Sequence, residues 1–404
     1  MDFRDSPQEA QFRRELREWL ARNLPEDWQG MDRGRWASDS DRIGFLRHFQ
    51  ARMAADRWIG IHWPSEYGGR NASATEVAIY NEEIGRAKAP QLPSVIGTHI
   101  AGPTIAQLGT PEQKTRFLSK ILSGEEIWCQ GFSEPNAGSD VANLQTRAVD
   151  VGDAWVVNGQ KVWTSYAHLA DWCLLLARTD PDPPSRHQGI TALLVDMRLP
   201  GVEVRPLVQI TRDAEFNEVF FSDVRVPKDA VLGEVGQGWH VTISTLMHER
   251  SNLGTGLQVS LENTLESLIR LAGKTPSRTA PGGTAMDDPV TRDEIAGHVV
   301  HTRALRFAIM RTLTDIQRKG APGPAASVIK LVWSELNQRL TETATRVLGP
   351  AHQLTRLDGH ARDGGTWEYA FLRARGNTIE AGTSEILRNI LGERVLGLPK
   401  DPGR

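Results

Sequence analysis

The chain has 404 residues, 39% hydrophobic and 24% charged, an ordinary globular composition long enough for two or three domains at roughly 150 residues each. Lys plus Arg (47) nearly balances Asp plus Glu (50), a net charge of −3 that argues against a nucleic-acid wrapper. Apolar runs reach only about five residues against the ~20 of a membrane span, and the polar opening MDFRDSPQEAQ lacks the regions of a secretory signal. Cys129 and Cys173 form no CxxC pair, which argues against a disulfide framework or a zinc site, and a cytoplasmic protein is expected.

Ser6-Pro7-Gln8-Glu9 is a capping box with proline at the first helical position, and Phe12, Leu16, Trp19 and Leu20 follow at helical spacing. Thr110-Pro111-Glu112-Gln113 opens another helix in the same way, leading into Phe117, Leu118 and Ile121. From about residue 129 the period shortens. Ala154–Val157, Val162–Thr164, Trp172–Leu176, Ile190–Asp196, Val202–Val208 and Glu218–Val226 are β-branched or aromatic runs, separated by turn chemistry at Asn158-Gly159, Thr179–Gly189 and Pro200-Gly201. Strands without intervening helices predict an antiparallel barrel or sandwich, and no GxGxxG follows a strand, which argues against a Rossmann dinucleotide site.

After Gly233 the spacing turns helical again, with Trp239, Ile243, Leu246, Leu253 and Leu257 on one stripe. Lys274–Asp288 reads as a loop, helices resume at about 290–318, 325–348 and 366–374, and a last one follows Gly382. The expected fold is α+β multidomain: an N-terminal helical domain (1–127), a central antiparallel β-barrel or sandwich (128–234) and a C-terminal helical bundle (235–404).

The segment Gln130–Asp140, QGFSEPNAGSD, is a turn-rich loop whose hydroxyls and amides suit a polar heterocycle or phosphate; on composition alone an ordinary domain linker is the plainer reading. It resembles the TEPGAGSD flavin loop of the acyl-CoA dehydrogenases. Asn158–Tyr166 resembles their NGxKxWITN signature, and Ala381–Arg388 their EGTSEIxR signature. Trp63-Pro64 through Gly69 and Gly109–Lys114 also match family positions, so the resemblance covers nearly the whole chain in order.

The resemblance implies FAD. Gln130, Phe132, Ser133 and Ser139 of the loop, with Trp163 and Ser165, would hold the isoalloxazine ring, Ser133 near N5 and Trp163 at the ring edge. Thr383 and Glu385 match cofactor-contacting positions at the start of the last helix, where free N–H groups favour polar and anionic groups. Gly349 is what remains of a QIxGG turn. Ser139 and Arg250 would meet the acyl-CoA. The implied reaction oxidises an acyl-CoA to the 2-enoyl-CoA: a carboxylate takes the α-proton, the β-hydrogen leaves as hydride to flavin N5, and electrons pass to an electron-transferring flavoprotein.

The base is not where most of the family keeps it. Aligned on Gly382-Thr383, Ala381 stands at that position and Glu380 is one residue early. A minority of members, like isovaleryl-CoA dehydrogenase and bacterial steroid side-chain enzymes, carry a Glu-Arg pair on the first C-terminal helix, and Glu249-Arg250 occupies that place. Glu249 is therefore the expected base, at the margin of the apolar stripe, with Glu380 the alternative and a structural ion pair with Arg250 the plain reading. His62 and His99 fall where the family builds part of its acyl pocket and read as structural histidines; Cys129 and Cys173 read as packing residues.

The RKxFG arm that reaches a neighbouring subunit's FAD is not found. Lys274–Asp288 takes its place, with Arg278 the nearby arginine. A homo-oligomer or a heterotetramer with a paralogue is expected. Two other functions fit: a half-site subunit completing a paralogue's active site, and a flavin oxidase or monooxygenase on the same fold.

Overall fold

The computed structural model describes residues 4–25, 39–279, 281–319, 323–356 and 358–400; the side chains of residues 39, 248–253 and 319 lie outside the described set. The chain forms two compact units, Met1–Asn252 and Leu253–Arg404.

In the first unit, helix α1 (Pro7–Asn23) starts at the capping box expected from the sequence: Ser6 N donates to Glu9 Oε2 (2.7 Å) and Glu9 N to Ser6 Oγ (3.3 Å). It buries Phe12, Leu16, Trp19 and Leu20. Helix α2 (Asp39–Ala55) follows, then α3 (Ala74–Arg86), which has its own box from Ser73 and Glu76. A π-helical turn at Gly97–Ala101 runs into the short α4 (Gly102–Leu108), and α5 (Pro111–Ser123) begins at the Thr110–Gln113 box. Satisfying first-turn amides within four residues makes such starts legible locally.

Eight strands form one sheet in the order β6-β7-β3-β2-β4-β5-β8, with β1 beside β4. They are β1 (Trp128–Gly131), β2 (Arg147–Asp150), β3 (Ala154–Ser165), β4 (Trp172–Arg178), β5 (Ile190–Asp196), β6 (Val202–Leu207), β7 (Phe216–Pro227) and β8 (Val231–Leu232). The expected antiparallel pattern holds except that β1 and β2 pair with β4 in parallel. β4 and β5 are apolar on both faces because both are covered. Leu174, Leu176, Ala192 and Leu194 join the core of the N-terminal helices, while Cys173, Leu175, Leu193 and Val195 join a second core within the sheet region. Phe117 of α5 packs edge-on against Trp128 (5.1 Å) and Trp172 (4.8 Å), fastening the helices to β1 and β4.

Asn158-Gly159 is not a turn. β3 runs through it as one strand with a register shift at Val157/Gly159. A Cβ at Gly159 would lie 2.6 Å from Thr146 Cα, so the glycine is there to let β2's approach come close rather than to reverse the chain.

Helix α6 (Gly238–Lys274) begins in the first unit and ends in the second. Its buried face at the start is Val241, Thr242 and Thr245, whereas Ile243 of the expected stripe is 42% exposed. Threonine can replace leucine there because each hydroxyl is satisfied one turn back, Thr242 Oγ1 on Gly238 O (2.8 Å) and Thr245 Oγ1 on Val241 O (2.7 Å). The second unit adds α7 (Pro289–Lys319), α8 (Ser327–Leu348), α9 (Thr366–Asn377) and α10 (Ser384–Arg394) around a core including Leu268, Leu305, Leu336, Leu340 and Trp367. Among the described residues, no helix is long and apolar enough to cross a membrane.

Candidate cofactor and substrate site

β1 delivers the flavin-loop sequence. Gln130 is half-buried on β1 opposite Leu174, Phe132 is buried, and Ser133 is half-buried at the turn that follows. The turn is closed by Glu134 and Ala137, which exchange two backbone hydrogen bonds of 3.1 Å. Ser139 lies further along and is exposed, next to Asp140, which accepts from Arg186 Nη1 (2.8 Å).

Beneath this turn lies a pair that sequence reasoning missed. Lys161, fully buried on β3, donates to Glu134 Oε1 (2.8 Å) and to Phe132 O (3.1 Å). Glu134 also accepts from Gln145 N (2.6 Å) and Thr146 N (2.9 Å). Burial pushes the Glu134 carboxyl up, but the Lys161 ammonium and these hydrogen bonds outweigh it and hold the group below its ordinary value. Burial lowers Lys161, with Glu134 opposing. Local sequence around Lys161 does not reveal this role; its partner, 27 positions away, makes it a core residue.

Two residues on, Trp163 has φ +58° and is 61% exposed. The β3–β7 register shifts between Lys161 and Thr164, leaving one extra residue on β3, and this bulge aims the indole outward. Phe216 meets it edge-on at 6.1 Å. Asn217, fully buried, holds the bulge: its Nδ2 donates to Thr164 O (3.0 Å) and its Oδ1 lies 3.2 Å from His168 Nδ1. Ser165 ends β3, half-buried opposite Phe216. The structure thus brings Phe132, Ser133, Trp163 and Ser165 to neighbouring positions of the loop and β3. An exposed indole plate beside a rigid turn bearing hydroxyls and amides fits a flat, polar-edged ring such as that of FAD.

In the second unit, Thr383 is the N-cap of α10 and its hydroxyl accepts from Ile386 N (3.2 Å). Glu385 is exposed in the first turn, its carboxyl lowered by its own backbone N–H and by Thr383. Lys330 donates to Gly382 O (2.7 Å), and among the described residues the buried Ser384 Oγ has no hydrogen-bond partner. Gly349 has φ +59°, and Arg278 lies against it: a Cβ there would be 2.6 Å from Arg278 Nη1, which sits on the guanidinium whose Nη2 bonds Arg346 O (2.8 Å).

The two candidate bases are placed differently. Glu380 is committed. Its Oε2 accepts from Arg373 Nη2 (2.9 Å) and its Oε1 from Asn377 Nδ2 (2.7 Å), and Asn377 is itself held by Asn337 (2.9 Å). Glu249 and Arg250 lie on α6, and their side chains fall outside the described residues. The turn before them is anchored within the first unit, where Ser244 Oγ donates to Gln107 Oε1 (2.6 Å) and Thr245 Oγ1 meets Thr104 Oγ1 (3.3 Å).

His62 and His99 do converge, with Ile59, Tyr80, Asn81 and Thr98, on a cavity of about 20 Å³, room for about one water and too little for an acyl chain. Among the described residues no cluster of His, Cys, Asp and Glu could hold a metal.

Family models for the acyl-CoA dehydrogenase N-terminal, middle and C-terminal domains match residues 6–125, 129–224 and 236–396 in turn. The chain is 40% identical over 403 residues to acyl-CoA dehydrogenase IpdE1 of Mycolicibacterium smegmatis, covering 97% of this chain and 98% of that protein. The chain belongs to the acyl-CoA dehydrogenase family. Among solved structures it is similar to the ChsE4-ChsE5 complex of Mycobacterium tuberculosis (TM-score 0.84, 32% identity, 99% of this chain and 100% of that one). It is also similar to the Tcur3481-Tcur3483 steroid acyl-CoA dehydrogenase (TM-score 0.84, 30% identity, 99% and 100%). The helix–sheet–helix order is that of an acyl-CoA dehydrogenase, and FAD is the cofactor of such enzymes.

Proposed function

We propose that this acyl-CoA dehydrogenase oxidises a bulky, steroid-derived acyl-CoA thioester to its 2-enoyl-CoA with Glu249 as the base, and hands the electrons to an electron-transferring flavoprotein. The observation that carries the choice of base is the commitment of Glu380. Both its oxygens are taken up by Arg373 and Asn377, and the family's usual position next to it is Ala381. The ion pair with Arg373 favours the charged form of Glu380, and the bond from Asn377 holds the group beside its own helix neighbours, whereas Glu249 stands where the minority of the family keeps its base. FAD supplies the acceptor for the β-hydrogen. The loop residues Gln130, Phe132, Ser133 and Ser139, with Trp163 and Ser165, would hold its ring, and Gly349, Thr383 and Glu385 its remaining contacts; Arg250 and Ser139 would meet the thioester.

The steroid assignment rests on the likeness to the Tcur3481-Tcur3483 enzyme, and the two-component names of both solved relatives support assembly with a paralogue. Anaerobic bleaching of the flavin by a panel of acyl-CoAs, with Glu249→Gln and Glu380→Gln, tests the reading. Glu249→Gln should slow bleaching by about 10²–10⁴ with flavin content unchanged, and Glu380→Gln should be far milder. Loss with Glu380→Gln and none with Glu249→Gln refutes the assignment. If neither slows bleaching, the base comes from a partner subunit, the arrangement of a half-site subunit.

A further inference from the structure

We propose that Lys161 and Glu134 are positioning residues that set the register between the two flavin contacts of the first unit, Ser133 and Trp163; this rests on the cofactor site proposed above. Three consecutive residues of β3 do three connected things. Lys161 Nζ holds the carbonyl of Phe132 (3.1 Å) and the carboxylate of Glu134 (2.8 Å), the residues on either side of Ser133. Val162 N holds the carbonyl of Ser133 itself (2.9 Å). Trp163, the next residue, carries the exposed indole on a left-handed φ of +58°. The turn bearing Ser133 is therefore pinned, peptide by peptide, to the strand that presents Trp163.

The pair also ties in the segment behind. Glu134 takes the amides of Gln145 and Thr146, just before β2, and Lys161 runs under Gly131, where a Cβ would lie 3.5 Å from Lys161 Cγ and 2.9 Å from Cys173 Sγ. The lysine stem is at ordinary contact distance there; the crowding that suits glycine comes from Cys173 Sγ (2.9 Å) and Leu175 Cδ1 (3.0 Å). A buried ion pair is a poor device for stability alone, since apolar substitutes of like size often stabilise equally well; it is a good device for fixing one geometry among several. Here the fixed geometry is the spacing between a loop and an aromatic plate, held by charge-assisted hydrogen bonds in a place water does not reach.

The test uses the holoenzyme with Lys161→Met, Glu134→Gln and the double variant, reading thermal unfolding, flavin retained per chain, the visible circular dichroism of the flavin and its midpoint potential. Methionine keeps the unbranched stem, and glutamine keeps one acceptor oxygen where Glu134 offers Oε2 to Gln145 N and Oε1 to Thr146 N, so the double variant leaves no buried charge unpaired but gives up one of these two amide bonds. Each single variant is expected to lower thermal stability and to weaken flavin retention at least tenfold. The double variant is expected to regain part of the thermal stability, since the unpaired charge is gone while an amide and Phe132 O stay unmatched, and still to show weakened retention, an altered flavin dichroism and a shifted potential. A double variant with wild-type retention, dichroism and potential overturns the proposal and leaves the pair purely structural. Should the single variants not fold, the double variant carries the test. Wild-type protein carrying no flavin would overturn the cofactor site together with the proposal, whereas flavin-loaded wild type with indifferent variants overturns the proposal alone.

Discussion

Replacing Asn217 by alanine attacks the bulge that presents Trp163. The side chain is fully buried, and truncating it removes the hydrogen bond to Thr164 O (3.0 Å) and the contact with His168 Nδ1 (3.2 Å). An unmatched buried polar group costs about 1–3 kcal/mol, and Thr164 O is the one left behind, since the exposed His168 can turn to water, so with the bulge intact the loss should come to about 1–3 kcal/mol. The bulge stores strain of its own, because a non-glycine residue at positive φ costs roughly 1–2 kcal/mol, and Trp163 sits at +58°. Once Asn217 is gone, that strain favours regular pairing of β3 with β7, which would turn the indole to the other face of the strand. Urea unfolding of the holoenzyme gives the stability loss, and tryptophan fluorescence with flavin absorbance reports where Trp163 has gone. A variant within about 0.5 kcal/mol of wild type with unchanged spectra would refute the view that Asn217 holds the bulge.

Other perturbations probe the frame around the site. Glu83, 3% exposed, accepts from Arg13 (2.9 Å), Arg17 (2.9 Å) and Arg86 (3.1 Å) to bind α1 to α3, so Glu83→Ala should cost toward the lower end of ~3–5 kcal/mol, since Arg17 and Arg86 are half exposed; urea midpoints check it. A Cβ on Gly102 would lie 2.1 Å from the buried Trp63 ring and 2.8 Å from Gly97 O, so Gly102→Ala should lower stability by about 1–3 kcal/mol and shift the near-ultraviolet tryptophan signal. Burial lowers His99 and His298 below the ordinary histidine value, so the unfolded chain binds protons first as pH falls. The stability they contribute is complete above about pH 6.5 and is lost below it. His99→Gln should flatten that acid loss, measured as urea midpoints at pH 7.5 and 5.5, and an unchanged slope would refute it.

How much of this was legible follows from how local each signal is. The boxes at Ser6 and Thr110 and the periodicity behind them were readable because three or four adjacent residues decide them. β1, β2 and β8 were not, since strands of four, four and two residues exist only through partners elsewhere in the chain. Asn158-Gly159 carries turn chemistry, and only the close passage of Thr146 makes it part of a strand. The stripe through Ile243 failed because threonines with back-bonded hydroxyls can be buried as well as leucine can. At the site, resemblance supplied Trp163 and Ser133, but the bulge and the Lys161–Glu134 pair depend on pairings far apart in sequence.

Helix α6 has two hydrophobic addresses. Val241 and Trp239 pack with the core of the N-terminal helices, and from Leu261 onward the helix belongs to the core of the second unit, so packing divides the chain at 252/253 while the C-terminal family model begins at 236. For recombination between relatives the two boundaries are not equivalent. A crossover at the model boundary exchanges the first turns of α6 away from the Thr104 and Gln107 they were matched to, whereas one just past Asn252 carries Glu249 together with the seam that seats its helix. Libraries of chimaeric dehydrogenases cut at the second position should therefore keep more active members, and active natural mosaics should show their joins there.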